Sequence, residues 1–257
     1  MVISAALIIF WSLAVSAWSA RKRRYTWDNH WERGATLTIW LMAASAAFMA
    51  SVIDAPIDLL PDDWDALPGV TLSIAAAVSI NHVVAHRAYP QPGPHLRRIK
   101  TTAGIAAVTL TVIFLNCGLW QKDKTDYLNV AMPPEGKMWW LIYDLTLGGL
   151  LAVAAWTVIK MCKEDDRHEP TGRAYIVSFL AGIVGATVGA AAVFTGNHVL
   201  AEAVSPLFGI WVMTFSIASA QSWKRRVKPF DDLLRVVRPV GPLRKLAMSD
   251  RRAGIRE

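Results

Sequence analysis

The sequence predicts an all-α fold: a polytopic membrane bundle of seven transmembrane helices, with the N-terminus outside and the C-terminus in the cytoplasm. Three observations predict it. Apolar runs of about twenty residues recur along the chain, the length needed to cross a hydrocarbon core of roughly 30 Å. Of the 257 residues, 54% are hydrophobic and only 18% are charged, against about 25% charged in an ordinary soluble domain. The mean hydropathy is +0.32. The charge is also segregated, with basic residues on alternate loops, as the positive-inside rule describes. The net charge of +7 therefore gives no case for nucleic acid, which would need a basic patch on a folded soluble domain.

The spans are read at roughly 2–20, 35–53, 69–87, 101–120, 138–160, 174–195 and 200–222. Span one, "MVISAALIIFWSLAVSAWSA", lacks the basic start of a signal peptide. Its positive charges, Arg21, Lys22, Arg23 and Arg24, come afterwards, so a retained helix with its N-terminus outside is expected. The loop after span two is acidic, with Asp54, Asp58, Asp62, Asp63 and Asp65, and is placed outside. Span three ends in a basic loop with Arg87, Arg97, Arg98 and Lys100, and span five in Lys160, Lys163, Arg167 and Arg173. The outer loops hold only Lys122, Lys124 and Lys137. Trp18, Trp27, Trp31, Trp64, Trp120, Trp139, Trp140 and Trp223 fall near the expected interfaces, where amphipathic rings are favoured. Spans six and seven are joined by a tight outer turn at Gly196 and Asn197, both good turn formers.

Two domains follow: a seven-helix transmembrane domain, 1–222, and a basic cytoplasmic tail, 223–257. In the tail, "PFDDLLRVVRP" puts Phe230, Leu233, Leu234 and Val237 on one helical face, bracketed by Pro229 and Pro239. It reads as a short amphipathic helix, lying either on the anionic cytoplasmic leaflet or against the inner loops. Cys117 and Cys162 stand at opposite ends of their spans, roughly 25 Å apart by helix rise. A disulfide needs Cα atoms within about 7 Å, so no internal bridge is expected.

Few residues inside the spans carry chemistry. Asp144, in "MWWLIYDLTLGGLLAV", is the one acid clearly within a span, about 9 Å below the outer surface by helix rise. A charge there is costly and usually faces a cavity or a partner. Asn116, Glu202 and Asp54 fall at similar or shallower depth on the same side, so an acidic, outward-facing vestibule for a substrate or proton is expected. The alternative is a protonated Asp144 bonded to a neighbouring helix. In "SINHVVAHRA", His82 and His86 share a helix face. Haem would normally need a second axial ligand from a facing helix and zinc three or four ligands. No other span offers a histidine at that depth. The pair is therefore read as structural, with a weak metal site as the alternative. Asn81 and His82 are expected to make interhelical hydrogen bonds. No metal and no cofactor are expected.

Gly182, Gly185 and Gly189 mark a packing seam in span six, with Gly185 and Gly189 in a G-x-x-x-G pattern. It serves the bundle interior or, alternatively, a homodimer. There is no P-loop, kinase, G-x-S-x-G or H-E-x-x-H motif, so no enzyme is expected. The outer segment "VIDAPIDLLPDDWDALPG", the last span "SPLFGIWVMTFSIASAQSW" and the following "FDDLLRVVRPVGPLRKL" give the chain its character. This order resembles the uncharacterised actinobacterial seven-helix membrane proteins described as transporters. The resemblance implies transport of a small solute; the acidic surroundings of Asp144 would suit a cationic or proton-coupled one, and the chain is read as a multi-pass protein of the inner (plasma) membrane. It supplies no catalytic residues. The second expectation is a sensor or interaction protein that signals to a cytoplasmic partner through its tail.

Overall fold

The computed structural model describes residues 2–23, 30–49, 62–121, 132–164 and 169–236. Their regular structure is helical: α1 Val2–Lys22, α2 His30–Phe48, α3 Ala66–Ala88, α4 Gly93–Asn116, α5 Pro134–Glu164, α6 Glu169–Thr195 and α7 His198–Val236. A 3₁₀ turn, Asp62–Asp65, leads into α3. Five segments are long and apolar enough to cross a membrane: Asp63–Ala88, Gly93–Asn116, Pro134–Glu164, Thr171–Thr195 and His198–Ser222. α1 and α2, of 21 and 19 residues, pack alongside them. The outward faces of the helices are apolar. Phe10, Ile105, Leu145 and Phe194 are 63%, 62%, 69% and 84% exposed. Lipid suits such faces and water does not, so the chain is read as an integral membrane protein.

Contacts between helices fix their directions. Ser16 of α1 lies 3.1 Å from Ser216 of α7, and Arg23 donates to the Ser219 carbonyl at 2.8 Å, so α1 and α7 run parallel. Ser45 of α2 donates to the Gly69 carbonyl, and Ser79 of α3 to that of Gly34, so this pair is antiparallel. Tyr143 of α5 meets Ser73 while Asn81 reaches Leu150, which makes α3 and α5 parallel. Gly182 of α6 faces both Leu151 of α5 and Trp211 of α7, and Gly172 faces Cys162. α6 is therefore antiparallel to both neighbours. α1, α2, α3, α5, α6 and α7 close a ring, and α4 packs outside it against α3 and α5. Arg21, Arg33, Arg87, Arg97, Lys160 and Arg173 all fall at one end of the bundle.

Local chemistry explains several boundaries. α6 stops because Gly196 takes φ +66, a left-handed cap that glycine adopts without a Cβ clash. Its N–H donates to the Ala192 carbonyl at 2.8 Å. Asn197 then caps α7, its Oδ1 accepting from Val199 N at 2.9 Å. The tight turn expected between these helices is thus present. α4 begins at Gly93 with proline in its first turn, earlier than expected, because Pro fits where no N–H partner is needed. Arg97, Arg98 and Lys100 therefore lie on a helix and not in a loop.

Two expectations are corrected. α7 runs unbroken for 39 residues to Val236, so Pro229 lies within a helix and residue 222 marks no break in it. The tail segment continues the last span; its side chains and residues 237–257 lie outside the described structure. Trp139 and Trp140 are fully buried instead of lying at a lipid interface. They form an aromatic layer with Phe114 and Tyr143, and Trp139 donates Nε1 to the Leu110 carbonyl at 2.9 Å. Gly185 is covered by Leu207 of the same chain, and Gly189 is buried too. The small-residue seam thus packs within the bundle. Gly149, in contrast, faces open space. Both cysteines are free.

Candidate functional site

The site is built around Asp144. On α5 the buried positions recur every three or four residues: Trp140, Tyr143, Asp144, Leu147, Leu151. Helical periodicity therefore turns Asp144 to the core, while Leu145 beside it faces outward at 69% exposure. Asp144 is only 4% exposed. It lines a cavity of about 40 Å³ enclosed by α1, α2, α5, α6 and α7. Roughly 10–15 Å³ suffices for one water molecule, so the space holds a few water-sized atoms. Small side chains on the facing helices leave it open: Gly182, Gly185 and Ala186 of α6 and Ala46 of α2. The walls are otherwise almost wholly apolar.

Two further polar groups line the same cavity from α7, Ser205 and Trp211. Ser205 Oγ and Trp211 Nε1 are buried without a hydrogen-bond partner. Buried polar groups are nearly always paired, so these two stand out. Neither was singled out from the sequence. A Trp in the middle of a span, away from the interfaces that Trp favours, was the available signal. Ser205 gave none, since serine is common in membrane helices. Tyr143 also lines the cavity, with its hydroxyl 3.0 Å from Ser73 Oγ.

Among the described residues, the polar groups expected around Asp144 do not line its cavity. Asn116 ends α4 and Glu202 stands near the start of α7, and both are exposed. Neither lines the cavity with Asp144. Position along the helix explains this: Glu202 stands in the first turns of α7, next to the exposed stretch 194–199, and Ser205, one turn further in, is buried. Asp54, with Asp58, lies outside the described residues. Asp65, expected in an exposed acidic loop, is fully buried at the start of α3, where the positive end of the helix dipole favours an acid.

His82 and His86 do share a face. Their rings meet edge to face with centroids 4.4 Å apart, and both are half-buried. Among the described residues no three His, Cys, Asp or Glu side chains come close enough to hold a metal. Asn81 is bonded as expected: its Nδ2 donates to the Ala77 and Leu150 carbonyls, both at 2.9 Å, tying α3 to α5. If the histidine pair is structural, the purified protein shows no Soret band and no stoichiometric transition metal. His82→Ala then lowers the melting temperature, while His86→Ala, at the end of the helix, changes it little. One haem or zinc per chain, lost in either variant, overturns that reading.

Beyond the cavity, toward the end where the basic residues gather, the bundle is packed. Tyr175, Phe179 and Phe215 form a cluster with ring centroids 5.6 to 6.4 Å apart. Further on, buried Arg23 bonds α1 to α2 and α7. It donates Nε to Thr36 Oγ1 at 3.1 Å and a terminal nitrogen to the Ser219 carbonyl at 2.8 Å. The site is therefore an acid in a small cavity, with a filled layer and an arginine clasp on one side of it. Compared with models of known families, with curated proteins and with solved structures, the chain matches none.

Proposed function

We propose that the protein is a seven-span carrier of a small cationic or proton-coupled solute. Its N-terminus lies outside, its C-terminus in the cytoplasm, and Asp144 is its charge-bearing group. The observation that supports this is the placement of Asp144: a buried acid beside a cavity, within helices that cross a membrane. Acids at such positions are retained where they bind ions or relay protons. The cavity is nearer the end where α5 and α7 begin. Asp144 is ten residues after Pro134, and Ser205 seven after His198, roughly 15 and 10 Å of helix rise. The gathering of basic residues at the opposite end supports a cytoplasmic, inner-membrane orientation for that end.

The second reading is a sensor, and one observation favours it. α7 lines the cavity with Ser205 and Trp211 and continues as one helix to Val236. A shift of α7 on ligand binding would reach the basic tail directly. From there it could act on the anionic leaflet or on a cytoplasmic protein partner.

Two experiments test the proposal. A reporter active only in the cytoplasm is expected to work when fused after Glu164 or at Glu257, and to stay silent after Asp62 or Asp126; activity after Asp62 overturns the orientation. Untargeted metabolite uptake is then compared in membrane vesicles with and without the protein. A solute accumulated only with the protein supports the carrier. A ligand that binds through Asp144 without crossing the membrane favours the sensor.

A further inference from the structure

The outward face of α5 carries more than an ordinary lipid-facing surface. Leu145, Gly149, Val153, Trp156 and Lys160 are all exposed and recur at spacings of three and four, so they share one side of the helix. α5 packs against α4 and α6, and this side is the strip that neither covers. Nothing lies within 4 Å of where a Cβ would stand on Gly149, so the strip has a notch between Leu145 and Val153. From Trp156 back to Leu145 is eleven residues, roughly 16 Å of helix rise. One leaflet of a core of about 30 Å is equally deep. Trp156 is 58% exposed, and Lys160 Nζ lies 5.7 Å from the centre of its ring, within cation–π range. Lys163, close to one turn further on, is exposed on the same side. Two cations therefore stand against one acid among the described residues there, Glu164.

These features fall in the order in which a phospholipid presents its parts. We propose that this strip of α5 binds one anionic diacyl phospholipid. Its phosphate pairs with Lys160 and Lys163 at the basic end of the bundle, and Trp156 lies at the boundary between headgroup and chains. One acyl chain fills the notch at Gly149, against Leu145 and Val153. α1 ends in a similar trio of exposed residues, Trp18, Arg21 and Lys22. Seven residues before Trp18, however, stands the exposed ring of Trp11, where α5 has Gly149 seven before Trp156. A basic end beneath a tryptophan is thus common to both helices, and the seat for the chain belongs to α5. The same chemistry holds whichever end of the bundle faces the cytoplasm and whatever the protein carries.

The test uses the full-length protein in a neutral detergent. Retention of phosphatidylglycerol and of phosphatidylcholine with the same acyl chains is compared by native mass spectrometry. Phosphatidylglycerol is expected to bind about fivefold more tightly than phosphatidylcholine, the attraction of one cation near a membrane surface. Lys160→Gln is expected to lower phosphatidylglycerol affinity about fivefold, and Arg21→Gln on α1 to leave it unchanged. Gly149→Leu fills the notch without altering any charge. Its side chain enters open space and leucine favours a helix over glycine, so the variant folds. It is expected to lower phosphatidylglycerol affinity about fourfold, the worth of one methylene contact. Equal retention of the two lipids by the wild type overturns the proposal. Equal losses from Lys160→Gln and Arg21→Gln show diffuse attraction to a basic end and overturn it too. Unchanged affinity in Gly149→Leu shows a headgroup contact with no seat for the chain, and does the same.

Discussion

Asp144→Asn is expected to remove solute uptake, or whatever signalling output the protein has, while the bundle still assembles. The substitution keeps the shape of the side chain and most of its hydrogen bonding. It removes the charge and the ability to exchange a proton. Asp144 sits on the inward stripe of α5 beside Tyr143 and Leu147, and an amide fills the same space. Losing one partner of a buried charged hydrogen bond costs about 2–5 kcal/mol, which corresponds to roughly thirty- to several-thousandfold in affinity. Expression level, gel-filtration profile and melting temperature of the Asn variant therefore stay near wild type, while activity falls by at least about thirtyfold. Unchanged activity together with a lower melting temperature would place Asp144 among residues that only hold helices together. The carrier proposal would then lose its charge-bearing group.

The helices themselves were legible because their signal is simple. A long apolar run must satisfy its own backbone in lipid, and only a helix can do so within one segment. Gly196 and Asn197 announced the turn before α7 for equally local reasons. What the pattern of apolar runs does not contain is rotation: it says that a helix crosses, not which face turns inward. Asp144 was found because an acid in a span is conspicuous at any rotation. The company it keeps was not. Asn116 and Glu202 lie exposed at the ends of their helices, while Ser205, one turn further into α7, lines the cavity. The aromatic layer shows the same gap. Trp139 and Trp140 stood where interface residues usually stand, yet they pack inside because α3 and α4 cover that face of α5. The end of α7 was not legible from Pro229, a residue type that breaks many helices, since the helix runs past it to Val236.

Arg23 makes the same point about charge, and it carries the largest expected effect on stability. Counted along the sequence, it is one of four basic residues after span one and indistinguishable from Arg21. In the fold, Arg21 is exposed and Arg23 is fully buried. Its guanidinium joins three helices by bonding Thr36 of α2 and the Ser219 carbonyl of α7. Ser219 Oγ in turn lies 3.2 Å from the Tyr175 hydroxyl of α6, so the clasp connects to the cluster of Tyr175, Phe179 and Phe215. Removing a buried, bonded charged group costs about 3–5 kcal/mol when its partners are left unmet. For a chain of this size that corresponds to a fall in melting temperature of roughly 6–20 °C. Arg23→Ala is expected to show such a fall. Arg23→Lys keeps the charge but not the planar fork and lies between. Arg21→Ala removes the same charge from the same end of the bundle and leaves the melting temperature unchanged. Equal, small effects of Arg21→Ala and Arg23→Ala in detergent would show that Arg23 acts only as a loop charge that orients the protein in the membrane, and that the three helices are held by their apolar faces alone.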